Sequence, residues 1–155
     1  MRQRSRVGAG LWHTKALAQE VTVALNTGGF ADGVTVDGRA IAVKASPLLG
    51  NATHLAIGTA ALPAGYSSPA HTHEAEEVAL IVSGSGTVEI AGRPHRVEAG
   101  SLLLTPANAP HTTHADADSE GLVIIWIYAP AGSEARWLPS PEPTGPPGRQ
   151  RKESS

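Results

Sequence analysis

The sequence predicts an all-β domain, an antiparallel sandwich or barrel of short strands. Three observations carry that expectation. Short apolar runs recur at even spacing, with Gly or Pro between them. Asp37-Gly38 and Ala91-Gly92 each sit between such runs, where a tight hairpin turn needs residues that tolerate positive φ. Little in the chain demands a helix, and no internal repeat is present.

Taken in order, the elements are these. Residues 1–10 are basic and read as a flexible tail. Residues 14–19 suit a short helix and 21–25 a strand. Val34 and Val36 form one arm of a hairpin around Asp37-Gly38; Ala40, Ile41 and Val43 form the other. Residues 46–51 form a loop, and 55–62 a strand ended by Pro63 and Gly65. The run 78–82 is wholly apolar and is expected to be buried on both faces. Gly84 and Gly86 are expected to turn the chain. Residues 87–90 and 95–97 then pair around Ala91-Gly92. Residues 101–105 make a short strand stopped by Pro106, and 107–110 a tight loop. The run LVIIWIYA, 122–129, reads as a buried strand. Residues 139–155 are rich in Pro, Gly and charge and cannot bury enough apolar surface to offset the entropy of ordering. The expected organisation is thus a tail at 1–10, one domain at 11–138 and a disordered tail at 139–155.

Composition narrows the function. At 155 residues the chain suits one domain. Twelve basic and fourteen acidic residues nearly cancel, which argues against a nucleic-acid partner. No cysteine is present, so disulfides, thiolate ligands and a cysteine nucleophile are excluded. The basic N-terminus lacks a following apolar stretch, and the longest apolar run is far short of the ~20 residues that cross a bilayer. A cytoplasmic protein with no membrane contact is the expectation.

The chemistry concentrates in GYSSPAHTHEAEEVALIVSG, 65–84. His71 and His73 are two apart, so an extended backbone projects both imidazoles from one face. Glu77 shares their parity. Imidazole nitrogen with carboxylate oxygen suits Fe, Mn, Ni, Cu or Zn. His111 lies forty residues beyond His71 and joins only if the chain folds back. Against these stands the bland reading of ordinary polar loop residues, which the joint spacing outweighs. Glu74 and Glu76 read first as solvated acids, with Glu76 a candidate general base. His114 follows His111 by three and either lines the pocket as an acid–base group or sits on a strand edge. Glu76 and His114 are the catalytic candidates. His13, His54 and His95 lack partners in sequence. Tyr66, Trp126 and Tyr128 could line a cavity, with core packing the better reading for Trp126. No glycine pattern suited to a phosphate loop is present.

The same residues carry a family resemblance. Gly65, His71, His73, Glu77 and Gly84 occupy every fixed place of the first cupin motif. Gly100, Pro106 and His111 fit the second; Asn108 stands where its second glycine belongs and Ala115 where its asparagine belongs. Asn tolerates a left-handed backbone, so Asn108 can keep the turn. The resemblance covers about Ala56 to Pro130. It implies a double-stranded β-helix, or jelly roll, and one divalent transition metal (Fe, Mn, Ni or Zn) held by His71, His73, Glu77 and His111. Four protein ligands leave one or two open positions for substrate, water or dioxygen. A metal-dependent enzyme acting on a small molecule is therefore expected, by cyclase, isomerase or lyase chemistry. An oxygen-dependent iron dioxygenase and a non-catalytic binding cupin are the alternatives. The chain looks most like small cupins found beside aromatic polyketide pathways of secondary metabolism. Neutral imidazoles are needed for binding, so metal loss is expected below roughly pH 6. The apolar runs 78–82 and 122–129 offer more surface than one small sandwich hides, which predicts a homodimer.

Overall fold

The computed structural model describes residues 33–139. The expected helix at 14–19, the strand at 21–25, the tail at 1–10 and residues 140–155 of the C-terminal tail lie outside the described residues. The described chain forms strands β1 (Val34–Val36), β2 (Arg39–Ala45), β3 (Ala56–Leu62), β4 (Glu76–Ile90), β5 (Arg93–Glu98), β6 (Leu102–Thr105), β7 (His111–Ala115) and β8 (Leu122–Ala129). Two short 3-10 helices, Pro47–Leu49 and Ser133–Trp137, complete it.

All pairings are antiparallel. One layer runs β1-β2-β3-β8, then the first half of β4, then β6. The other consists of the second half of β4 between β5 and β7. The long strand β4 therefore belongs to both layers and bends between them, as a jelly roll requires. The hairpin turns form as expected: Asp37 and Gly38 have φ of 50° and 87°, Ala91 and Gly92 of 50° and 76°.

Two expectations are corrected. Gly84 and Gly86 do not end a strand; β4 runs through both. Their role is close approach. A Cβ on Gly84 would stand 1.6 Å from the Gly121 carbonyl oxygen, and one on Gly86 2.1 Å from that of His114. The run 78–82 is buried on one face only. Ile81 is buried, whereas Leu80 and Val82 are each 37% exposed. Together with Leu102 and Leu104 of β6, 68% and 57% exposed, they form an apolar outer face. The strand is continuous in hydrophobicity because its second face is apolar surface, not a second core. β8 is similar: Leu122, Ile124, Trp126 and Tyr128 point inward and are buried, while Val123, Ile125 and Ile127 on the outer face are half-buried.

The core joins the inward rows of both layers, including Ile41, Leu62, Ile81, Val88, Val97, Leu122, Ile124 and Trp126. The second 3-10 helix lies against β2 and carries Trp137 onto this core. It is anchored by Glu134, which is fully buried and accepts from Ser46 Oγ and from the Gly132 amide, each at 2.5 Å.

Candidate metal centre

Backbone pairing explains how residues forty apart in sequence meet. The segment before β4 lies antiparallel to β7. The His71 amide donates to the His111 carbonyl at 3.1 Å, and the His111 amide donates to the His71 carbonyl at 3.0 Å. The Ser68 amide donates to Thr113 and the Ala115 amide to Tyr66, both at 2.9 Å, continuing the ladder. Asn108, at φ 60°, takes the left-handed turn expected of it. Its amide donates to the His73 carbonyl at 2.8 Å, so the loop that delivers His111 is tied to the backbone of another candidate ligand.

The imidazoles are oriented by their own backbone. The Nδ1–H groups of His71, His73 and His111 donate to the carbonyls of Pro69 (3.0 Å), Ala75 (2.8 Å) and Ala109 (2.9 Å). A carbonyl can only accept, so each Nδ1 carries hydrogen, and in the neutral ring each Nε2 is a lone pair. The ligand atoms of the three rings lie within 4.8 Å of one another. Glu77, on β4, brings its Oε2 to 2.8 Å from His73 Nε2 and 3.5 Å from His111 Nε2. The longer separation is ion-pair range rather than a hydrogen bond, and His111 Nε2 is a buried atom without a hydrogen-bond partner. The structure thus gathers the three imidazoles and sets the Glu77 carboxylate beside two of them, His73 and His111.

Electrostatics point the same way. Burial, the neighbouring His111 and the charge of Arg39 hold the His71 imidazole down at about 4, so it is neutral at pH 7. Burial would raise the Glu77 carboxyl, but His111 and His73 outweigh it and hold it at about 2. Burial also pushes His111 down, and Glu77 with the Ala109 carbonyl more than reverses this. The three imidazoles gather at one place with an ionised carboxylate beside two of them, and a cation there would answer the imidazole nitrogens and the carboxylate charge together. Three nitrogens and one oxygen form a donor set that suits Fe, Mn, Ni or Zn.

Glu76 and His114 are placed elsewhere. Glu76 is exposed and, one residue before Glu77, projects from the opposite face of β4. His114 is an odd number of positions from His111 and faces away from it, with Nδ1 2.7 Å from Ser67 Oγ. Neither lines the cavity beside the ligands. His54 and His95 are exposed; His13 lies outside the described residues.

That cavity, of about 50 Å³, lies inside the cup, where His71, Glu77 and His111 meet Arg39, Thr113, Trp126, Tyr128 and Trp137. Trp126 both packs in the core and stacks on Tyr128 at 4.6 Å. Burial pushes the Tyr128 hydroxyl above its ordinary range, so it stays protonated. Tyr66 packs on the core and does not line the cavity. On the outer side, His73 borders a broad groove of about 690 Å³ with Glu74, Asn108, Gly132 and Arg136. Sequence reading missed Arg39 and Trp137. Arg39 shares the parity of Ile41 in an alternating strand, a signal that it points inward; directly after a tight turn it reads instead as solvated. Trp137 has no such signal, because it sits beyond the last strand.

The comparisons agree with this geometry. The family model Cupin_2, described as a cupin domain, matches residues 58–128. A dimethylsulfoniopropionate lyase, DddW, of Ruegeria pomeroyi is 37% identical over 81 residues, which span 52% of this chain and 52% of the relative. The chain therefore matches about half the length of that relative. The structure of KdgF from Halomonas sp. superposes with a TM-score of 0.58 at 20% identity, covering 67% of this chain and 90% of the other. A salicylate 1,2-dioxygenase from Pseudaminobacter salicylatoxidans superposes with a TM-score of 0.55 at 18% identity, covering 63% and 28%. These two likenesses concern the fold. Residues 58–128 of this chain are thus matched as a cupin domain, and the described strands take the fold of the solved structures it resembles.

Proposed function

We propose that this protein is a metal-dependent cupin enzyme acting on a small molecule by non-redox chemistry of the lyase or isomerase type. His71, His73, Glu77 and His111 would hold one divalent transition metal per chain. The observation that carries this reading is the gathering of three imidazoles whose ligand atoms lie within 4.8 Å of one another, each ring held by its own Nδ1–H bond, with the Glu77 carboxylate beside His73 and His111. The similarity to a protein named as a lyase supports the reaction class. A metal at this point would polarise a substrate carbonyl or lower the pKa of a bound water. The chain's own contribution is to fix the ligands, keep Glu77 charged and hold the Tyr128 proton inside a cavity walled by Trp126 and Trp137. At about 50 Å³ that cavity admits part of a small substrate and not a polycyclic one. An aromatic polyketide substrate is therefore not part of the proposal.

The test is metal analysis of the purified protein, followed by turnover under strict anaerobiosis. One transition metal per chain, lost in His73→Ala, is expected. Dimethylsulfoniopropionate is the first substrate to offer, its consumption followed by NMR. Turnover that stops without dioxygen would replace the lyase reading with an oxygenase one. The proposal includes a homodimer, supported by the exposed Leu80, Val82, Leu102 and Leu104 on one outer face.

A further inference from the structure

Among the described residues, Arg39 brings a positive charge into the cup with no carboxylate paired to it. It is the first residue of β2, and its parity with Ile41 turns it inward from the hairpin. It is 91% buried by its 9% exposure, and its Nε is a buried donor without a hydrogen-bond partner. The Trp137 ring covers one face of the guanidinium, with Cζ 5.4 Å from the ring centroid. Stacking of that kind leaves the N–H edge free. Among the described residues no carboxylate forms an ion pair with it; the one acid lining the cavity, Glu77, is engaged by His73 and His111. An arginine cannot shed its charge on burial as a lysine can. A buried guanidinium with an unpartnered Nε and no carboxylate paired to it among the described residues is costly, so its place in a cavity shared with the candidate metal ligands calls for an anion that arrives from outside.

We propose that Arg39 is the receptor for the carboxylate of a small substrate. The fork of a guanidinium matches a carboxylate with two parallel N–H···O bonds, and the free Nε supplies one of them. The cation–π contact with Trp137 holds the guanidinium from one side. Size narrows the class. A cavity of about 50 Å³ holds a carboxylate with a short chain, about two to four carbons in all, since one water needs roughly 10–15 Å³. Thr113, Tyr128 and the indole N–H groups of Trp126 and Trp137 are the further polar groups of its lining, and Ile41, Leu62 and Ile124 suit an aliphatic remainder. This inference rests on the reading of the cavity as the substrate site, but not on which metal is bound.

The test is binding, read by tryptophan fluorescence and calorimetry on the full chain carrying its own metal. Acetate, propionate and acrylate are compared with acetamide, propionamide and acrylamide, which match them in shape without the charge. The acids are expected to bind at least about tenfold more tightly than the amides. Arg39→Gln is expected to abolish that preference with metal content unchanged. Arg39→Lys is expected to keep part of it, because the charge remains and the fork is lost. Equal binding of acids and amides by the native protein overturns the proposal. So does an undiminished preference in Arg39→Gln or, if that variant does not fold, in Arg39→Lys. Repeating the comparison on metal-free His73→Ala separates the two readings. A preference that survives metal loss and disappears with Arg39 supports Arg39 whatever the metal does. A preference that follows the metal and ignores Arg39 leaves the metal centre standing and removes this assignment.

Discussion

At the scale of single residues, the candidate site is built from side chains whose second polar atom is already committed. His73 shows the logic. Its Nδ1–H is spent on Ala75, so Nε2 has one orientation available, and that orientation faces Glu77. Glu77→Gln keeps the size of the side chain and removes its charge. It is expected to weaken metal binding by at least about tenfold, measured by competition with a chromogenic chelator. Glu134 is the structural counterpart. Burial would raise its carboxyl, yet the bonds from Ser46 and Gly132 lower it, so it is held as an anion away from solvent. Glu134→Ala is expected to cost about 2 kcal/mol by leaving Ser46 Oγ and the Gly132 amide unpaired. It should also loosen Trp137, which a thermal melt and tryptophan fluorescence would show together. His71, His73 and Glu77 were legible because their spacing projects them together from extended backbone. Glu134 and Arg39 were not, because the partners that give them meaning lie far away in sequence.

At the scale of elements, β4 decides the architecture. Its first half pairs with β6 and β8 and its second with β5 and β7, so one strand ties both layers. The crossing works because the backbone at Gly84 nearly touches Gly121. Gly84→Ala would place a methyl 1.6 Å from a carbonyl oxygen at a φ of 83°. It is expected to cost at least about 3 kcal/mol. Gly92→Ala makes the same change in dihedral terms, at φ 76°, with nothing within 4 Å, and should cost only about 1 kcal/mol. Urea unfolding of both variants checks the contrast, and similar losses in the two would contradict the close-approach account. Hairpin turns were readable from Asp37-Gly38 and Ala91-Gly92, since their chemistry is local. Gly84 and Gly86 read as turns because a glycine needed for contact looks, in sequence, the same as one needed for bending.

At the scale of the whole molecule, acid sensitivity follows from the cluster. In the metal-free protein, His71 titrates at about 4 against an ordinary 6.5. The unfolded chain therefore takes up a proton that the folded one refuses, and stability falls as pH drops from 6.5 toward 4. Glu77, held at about 2 against 4.5, contributes stability that is full above 4.5 and is lost as pH falls toward 2. His111 is raised, so its contribution is full below its ordinary value and fades as pH climbs through the folded one. That partly offsets His71 on the acid side. The expected outcome is a net decline in stability from pH 7 to pH 4, measured by denaturant unfolding after chelation; a flat profile would contradict the burial of His71. Sedimentation should show a dimer, and Leu102→Asp, which places a charge in the apolar outer face, should shift it toward monomer. By itself the sequence determined the β class, the hairpins and the grouping of His71 with His73 that marks the cupin-like segment, because each depends on side-chain period, turn chemistry or short spacing. Only the tertiary structure decided that β4 is one strand, that His114 and Glu76 face away from the ligands, and that Arg39 lies inside the cup with no carboxylate paired to it among the described residues. Those facts depend on which face of one strand meets another, and that is set by packing across the whole chain.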